Sequence, residues 1–105
     1  MADGLSGVAG LMAIRDRLAS RDNLFTYKFL FVPEIIGSLA YSTLPGALDD
    51  VCYTVFVDGI SADAALHVQK TLYGDTLLDR TAIALAKSWS GKETFKVTEF
   101  REIPG

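Results

Sequence analysis

The chain has one histidine, His67, and one cysteine, Cys52, in 105 residues. A lone cysteine excludes an internal disulfide framework and fits a reducing, cytoplasmic setting. A lone histidine leaves no second imidazole with which to share a metal ion. Basic residues are few as well: ten Lys and Arg stand against thirteen Asp and Glu, for a net charge of −3 and a sequence pI of about 4.9. With no basic run there is no electrostatic footprint for nucleic acid. No apolar stretch reaches the roughly 20 residues a membrane helix needs. Met1-Ala2-Asp3-Gly4 lacks the basic start of a secretory signal. Gly4, Gly7 and Gly10 are evenly spaced, but no strand precedes them and no Lys-Ser/Thr follows, which excludes a phosphate-binding loop.

Apolar residues are abundant. Half of the chain is hydrophobic, 22% is charged, and the mean hydropathy is +0.26. That composition excludes disorder and describes one domain over residues 1–105. At this length roughly 65% of the unfolded surface can be buried. The high hydropathy points to a sheet covered on both faces, or to a surface that pairs with another chain.

Spacing divides the chain into elements. Leu5 to Ala19 predicts a helix, with Leu5, Val8, Leu11, Met12, Ile14 and Leu18 near helical spacing and Arg15, Asp16 and Arg17 on the wet side. Ser20-Arg21-Asp22-Asn23 is a turn. Phe25–Val32 predicts a strand that Pro33 ends. Ile35–Thr43 predicts a short helix, in which Gly37 and Ser38 imply close packing. Val51–Val57 predicts a central strand, and Leu66–Thr71 a third with Val68 inward and His67 outward. Asp75 or Thr76 caps a helix that runs to about Trp89 and stops at Ser90-Gly91. Thr94–Ile103 predicts a last strand. The expected fold is therefore α/β: a small sandwich of a mixed sheet of about four strands, with two longer helices and one short helix.

Three carboxylates fall where helices and strands should meet: Asp3, Glu34 and Asp58. Carboxylates at such junctions build metal and catalytic sites in α/β folds. Each also has a plainer reading. Asp3 or Ser6 can cap the first helix, Glu34 can be a first-turn acid favoured by the helix dipole, and Asp58 before Gly59 can be a turn residue. Cys52, inside an apolar run, reads as a buried, inert thiol. His67 reads as a surface or partly buried strand residue rather than a ligand, and Trp89 as core or interface.

The segment Ala2-Asp3-Gly4-Leu5-Ser6-Gly7-Val8-Ala9 resembles the Asp-x-x-Ser-Gly-Val-Ala helix start of the M28-type zinc aminopeptidases. The block from Tyr27 to Tyr41, together with Tyr73–Arg80 and Phe100–Gly105, is similar to the aminopeptidase-like branch carrying DUF4910 or DUF2172 domains. The ordered set spans nearly the whole chain. The resemblance implies two zinc ions held by carboxylates and histidines, with a glutamate as general base on a bridging water. It places Asp3 at the bridging aspartate, Glu34 at the metal-binding and catalytic glutamate region, and Asp58 at the acidic ligand after the next strand. A single Glu34 after Val32-Pro33 stands where zinc-binding members carry paired glutamates. The histidines of the family would lie before Asp3 and beyond Gly105.

The resulting expectation is a truncated aminopeptidase-like domain without peptidase activity on its own and without a cofactor in the isolated chain. One alternative is a small interaction module that forms a homo-oligomer through an exposed sheet edge or apolar surface. Another is a hydrolase whose metal site is completed by another chain, with His67 facing the carboxylates of a second subunit. Neither nucleic acid nor membrane is an expected partner.

Overall fold

A computed structural model describes residues 2–60, 66–89 and 95–101, with backbone alone for Ala2, Asp3, Leu66 and Trp89. The predicted helix stop at Ser90-Gly91, the start of the last strand at Thr94 and its end at Ile103 lie outside these residues. The chain divides into two compact units, Met1–Ser61 and Ala62–Gly105.

The first unit holds helix α1 (Ala2–Ala19) and helix α2 (Ile36–Ser42). Good helix formers and the absence of proline let α1 run for 18 residues. It ends where Asn23 Nδ2 donates to the Leu18 carbonyl at 2.8 Å, an acceptor the helix leaves open, and to the Arg21 carbonyl of the following turn at 3.0 Å. Because α1 is already helical at Ala2, Asp3 and Ser6 lie inside it rather than before it, and the capping reading of both is corrected.

Pro33 and Glu34 lead into α2 through a γ-turn. The Ile36 N–H donates to the Glu34 carbonyl at 2.6 Å, and Ile35 between them has φ 59 and ψ −66. This conformation is strained for a β-branched residue. Ile35 is 72% exposed, so its side chain contributes little burial to offset the strain. Ile35→Gly is expected to stabilise the protein by about 1 kcal/mol, the relief of a left-handed residue outweighing glycine's extra unfolded-state entropy. Thermal melts check this, and a lower midpoint for the variant would refute it. The close packing expected at Gly37 is present: a Cβ there would lie 2.5 Å from Val32 Cβ and 2.8 Å from Pro33 Cδ. Beyond α2 a series of turns runs to Val51, and Tyr41 lies under the Lys28 ammonium, 5.7 Å from its ring centre.

The second unit is a strand–helix–strand unit. Strands β1 (Leu66–Gln69) and β2 (Phe95–Thr98) are parallel and flank helix α3 (Leu77–Trp89) in sequence. Parallel neighbours need a crossover connection, which α3 supplies. The register pairs Leu66 with Phe95, His67 with Lys96, Val68 with Val97 and Gln69 with Thr98. Strand alternation therefore puts His67, Gln69, Lys96 and Thr98 on one face of the sheet. Helix α3 packs on both strands, and Ala86, 5% exposed, is the buried apolar side chain at its centre.

The sheet overturns the expected four-strand mixed sandwich. Among the described residues there are three helices and one parallel two-stranded sheet. Phe25–Val32 and Val51–Val57 have strand composition but no ladder. A strand exists only when its N–H and C=O groups meet a partner's, and neither run has one among the described residues. The Cys52 reading is corrected with it, since that thiol is exposed. His67 is a partly buried strand residue, one of the two readings weighed for it, and its Nδ1 is buried without a hydrogen-bond partner among the described residues, as is Thr98 Oγ1 on the same face.

Candidate functional site

The site suggested by the sequence belongs to the first unit, which contains Asp3, Glu34 and Asp58. Two of the three segments adjoin. Gly7, one turn after Asp3 on α1, is buried against the backbone of Val57 and Asp58. A Cβ at Gly7 would lie 2.6 Å from the Val57 carbonyl oxygen and 3.2 Å from Asp58 Cα. Gly10 continues the approach, with the tip of Ile60 2.9 Å from where its Cβ would be. The helix start and the Val57-Asp58-Gly59 segment thus lie together because glycine leaves room for them.

The carboxylates themselves are less convergent. Asp58 Oδ1 accepts the Gly59 N–H at 2.8 Å, and Gly59 turns the chain with φ 58. That is the turn role weighed for Asp58. Glu34 is exposed and sits two residues before α2, outside its first turn. No hydrogen bond or ion pair among the described residues joins Glu34 to Asp58. The Asp3 side chain lies outside the described residues. Among those described, no three His, Cys, Asp or Glu side chains converge as a metal's ligands. These residues do not furnish the donor set of a zinc pair, and no catalytic step is derived through one.

Sequence reasoning missed a buried carboxylate, Asp79, which is 4% exposed. It is the third residue of α3, and with Thr76 it forms a capping box: Thr76 Oγ1 accepts the Asp79 N–H at 3.2 Å, and Asp79 Oδ2 accepts the Thr76 N–H at 2.8 Å. Asp79 also reaches back to the end of β1. Its Oδ1 accepts the Thr71 N–H and its Oδ2 the Thr71 hydroxyl, both at 2.7 Å. The Thr71 backbone N–H does most to hold this carboxyl well below the usual range, followed by the Thr76 hydroxyl, against the opposing effect of desolvation. The pattern Thr76-x-x-Asp79 before an apolar run was the signal that could have found it.

The clamp borders a cleft of about 240 Å³ lined by Thr71, Leu72, Glu99, Phe100 and Arg101. It lies just beyond the ends of both parallel strands. Its volume is below that of ordinary small-molecule sites. Glu99 is engaged there, since its carboxylate takes the Lys70 ammonium at 2.6 Å and holds that amine above its ordinary pKa.

A family model described as a domain of unknown function, DUF4910, matches residues 1–104. No curated protein matches the chain, and no solved structure does.

Proposed function

The chain belongs to the DUF4910 family, and from that premise we propose that it is an aminopeptidase-like domain of the zinc-dependent M28 type that hydrolyses no peptide bond on its own. The observation that carries this reading is the seating of Gly7 on Val57 and Asp58. It brings the Asp-x-x-Ser-Gly helix start beside the Val57-Asp58-Gly59 segment, as a shared metal edge would require. The lack of activity follows from ligand chemistry. A dinuclear zinc site needs imidazole nitrogens as well as carboxylates, and a base besides. This chain offers one imidazole, and Asp58 is already engaged by the Gly59 amide. Carboxylates alone suit a hard cation such as calcium or magnesium, weakly bound.

The test is hydrolysis of aminoacyl-nitroanilides with added zinc or cobalt. The expected result is no turnover above background and less than one zinc per chain. Turnover that disappears with chelator and in Glu34→Gln would overturn the reading. A cytoplasmic setting belongs to the same proposal, on the strength of the single unpaired cysteine. Among the described residues, no helix is long and apolar enough to cross a membrane.

A second reading, a self-associating module, is favoured by the exposed aromatic and aliphatic side chains from Phe25 to Phe56. A hydrolase completed by His67 of another copy has less support, because the His67 ring is partly buried in its own sheet.

A further inference from the structure

The chain has two Asp-Gly pairs, Asp3-Gly4 and Asp58-Gly59, and its one asparagine, Asn23, precedes leucine. Aspartate before glycine is prone to rearrange through its own side chain, because no Cβ crowds the amide nitrogen that must reach the carboxyl carbon. Ring closure also requires that nitrogen to swing toward the aspartate Cβ about the Cα–C bond. The two pairs differ in whether the backbone lets it. Asp3 and Gly4 belong to α1, whose helical ψ fixes that rotation in the wrong place. Residues 51–60 form neither helix nor strand, so no ladder or helical turn fixes ψ at Asp58.

The local geometry at Asp58 favours the reaction. Its Oδ1 lies 2.8 Å from the Gly59 nitrogen, so the carboxyl group is already folded back onto the atom that would attack it. Both residues are exposed, and a Cβ at Gly59 would meet nothing within 4 Å. The Asp58 carboxylate enters no ion pair among the described residues, whereas Asp79 is held by Thr71 and Thr76. The segment also touches α1 on both sides of the bond concerned. Val57 and Asp58 Cα sit against Gly7, and the Ile60 tip sits against Gly10.

We propose that Asp58-Gly59 is a site of spontaneous aspartate isomerisation in the folded protein, and that the product unseats this segment from α1. The Gly59 nitrogen bonds to the Asp58 carboxyl carbon, and the amide proton and a carboxyl hydroxyl leave as one water. A second water then opens the cyclic imide. Where it breaks the bond between the nitrogen and the Asp58 main-chain carbonyl carbon, the chain continues through the former side chain as isoaspartate. Mass and charge are unchanged, but one more backbone atom separates Asp58 Cα from Ile60. Gly7 and Gly10 stay one helical turn apart, so both contacts can no longer be made together. The proposal does not rest on the aminopeptidase reading, since it needs no metal and no substrate.

The test is warm incubation of the whole chain at neutral pH for several weeks. Isoaspartate is read by methyl transfer from an L-isoaspartyl methyltransferase and located by peptide mapping. Position 58 is expected to gain it several-fold faster than position 3 in the folded protein, and the two rates should converge in concentrated guanidinium. Asp58→Glu, which would have to close a larger ring, should lose the signal at 58 and keep that at position 3. Aged wild type should melt a few degrees below fresh protein, and aged Asp58→Glu should not. Equal rates at the two positions in the folded protein, or a faster one at position 3, would overturn the proposed site. An unchanged midpoint in protein rich in isoaspartate at position 58 would overturn the unseating.

Discussion

Gly7→Ala is expected to lower the melting midpoint by about 5–10 °C, a loss of about 1–2 kcal/mol. Two effects compete at this position. Alanine in a helix interior gains about 0.5–1 kcal/mol over glycine. The new methyl, however, would meet the Val57 carbonyl oxygen at 2.6 Å and Asp58 Cα at 3.2 Å. Both obstacles are backbone, so relief requires moving either α1 or the 57–58 segment, and overpacking of that kind costs about 1–3 kcal/mol. Two neighbouring glycines provide controls on the same helix. A Cβ at Gly4 has nothing within 4 Å, so Gly4→Ala should be neutral or mildly stabilising. At Gly10 the obstacle is Ile60 Cδ1, the end of a side chain that can rotate away, so Gly10→Ala should be near neutral. The order of melting midpoints across the three variants is the measurement. If Gly7→Ala melts no lower than Gly4→Ala, the close approach of α1 to Asp58 is wrong.

Asp79→Asn is expected to lower the midpoint by about 10 °C, with loss of the cap and of the link to β1. The two carboxylate oxygens accept two backbone N–H groups, Thr71 on Oδ1 and Thr76 on Oδ2. Asparagine is the same size but has one acceptor oxygen, so one of these amides would face an NH₂ group. Threonine hydroxyls can turn to adapt, and backbone amides cannot. The pH dependence of stability separates charge from shape. The folded carboxyl titrates well below its ordinary value of 3.8. In the window between the two, the unfolded chain binds the proton and the folded chain does not. The contribution of Asp79 is therefore complete above about pH 5 and is lost as pH falls below the ordinary carboxylate range. Denaturant melts from neutral pH down to about pH 2.5 should show a steeper acid loss in the wild type than in Asp79→Asn. Parallel curves would show that the carboxylate does not carry the clamp.

The elements legible in the sequence are those stabilised by their own neighbours. Helix α3 was readable because Thr76 caps it and its apolar spacing is regular, and β1 and β2 from the alternation of their side chains. Helices α1 and α2 were placed within a few residues. The strand reading failed at Phe25–Val32 and Val51–Val57, where side-chain preference was right for a sheet but a ladder needs a partner backbone that local sequence does not name. The candidate site divides in the same way. The Asp3, Glu34 and Asp58 segments stood out by composition. The γ-turn at Ile35, which places Glu34 outside α2, did not, because nothing local favours a strained isoleucine.

By itself the sequence determined the helices, the acidic character and the single imidazole that limits metal chemistry, since these follow from residue identity and spacing. Only the tertiary structure decided that Gly7 seats α1 on Asp58, that Asp79 ties α3 to the end of β1, and that Cys52–Phe56 has no backbone partner among the described residues. Each of these depends on backbone groups distant in sequence meeting or failing to meet, and hydrogen bonding and close packing are settled by that meeting rather than by composition.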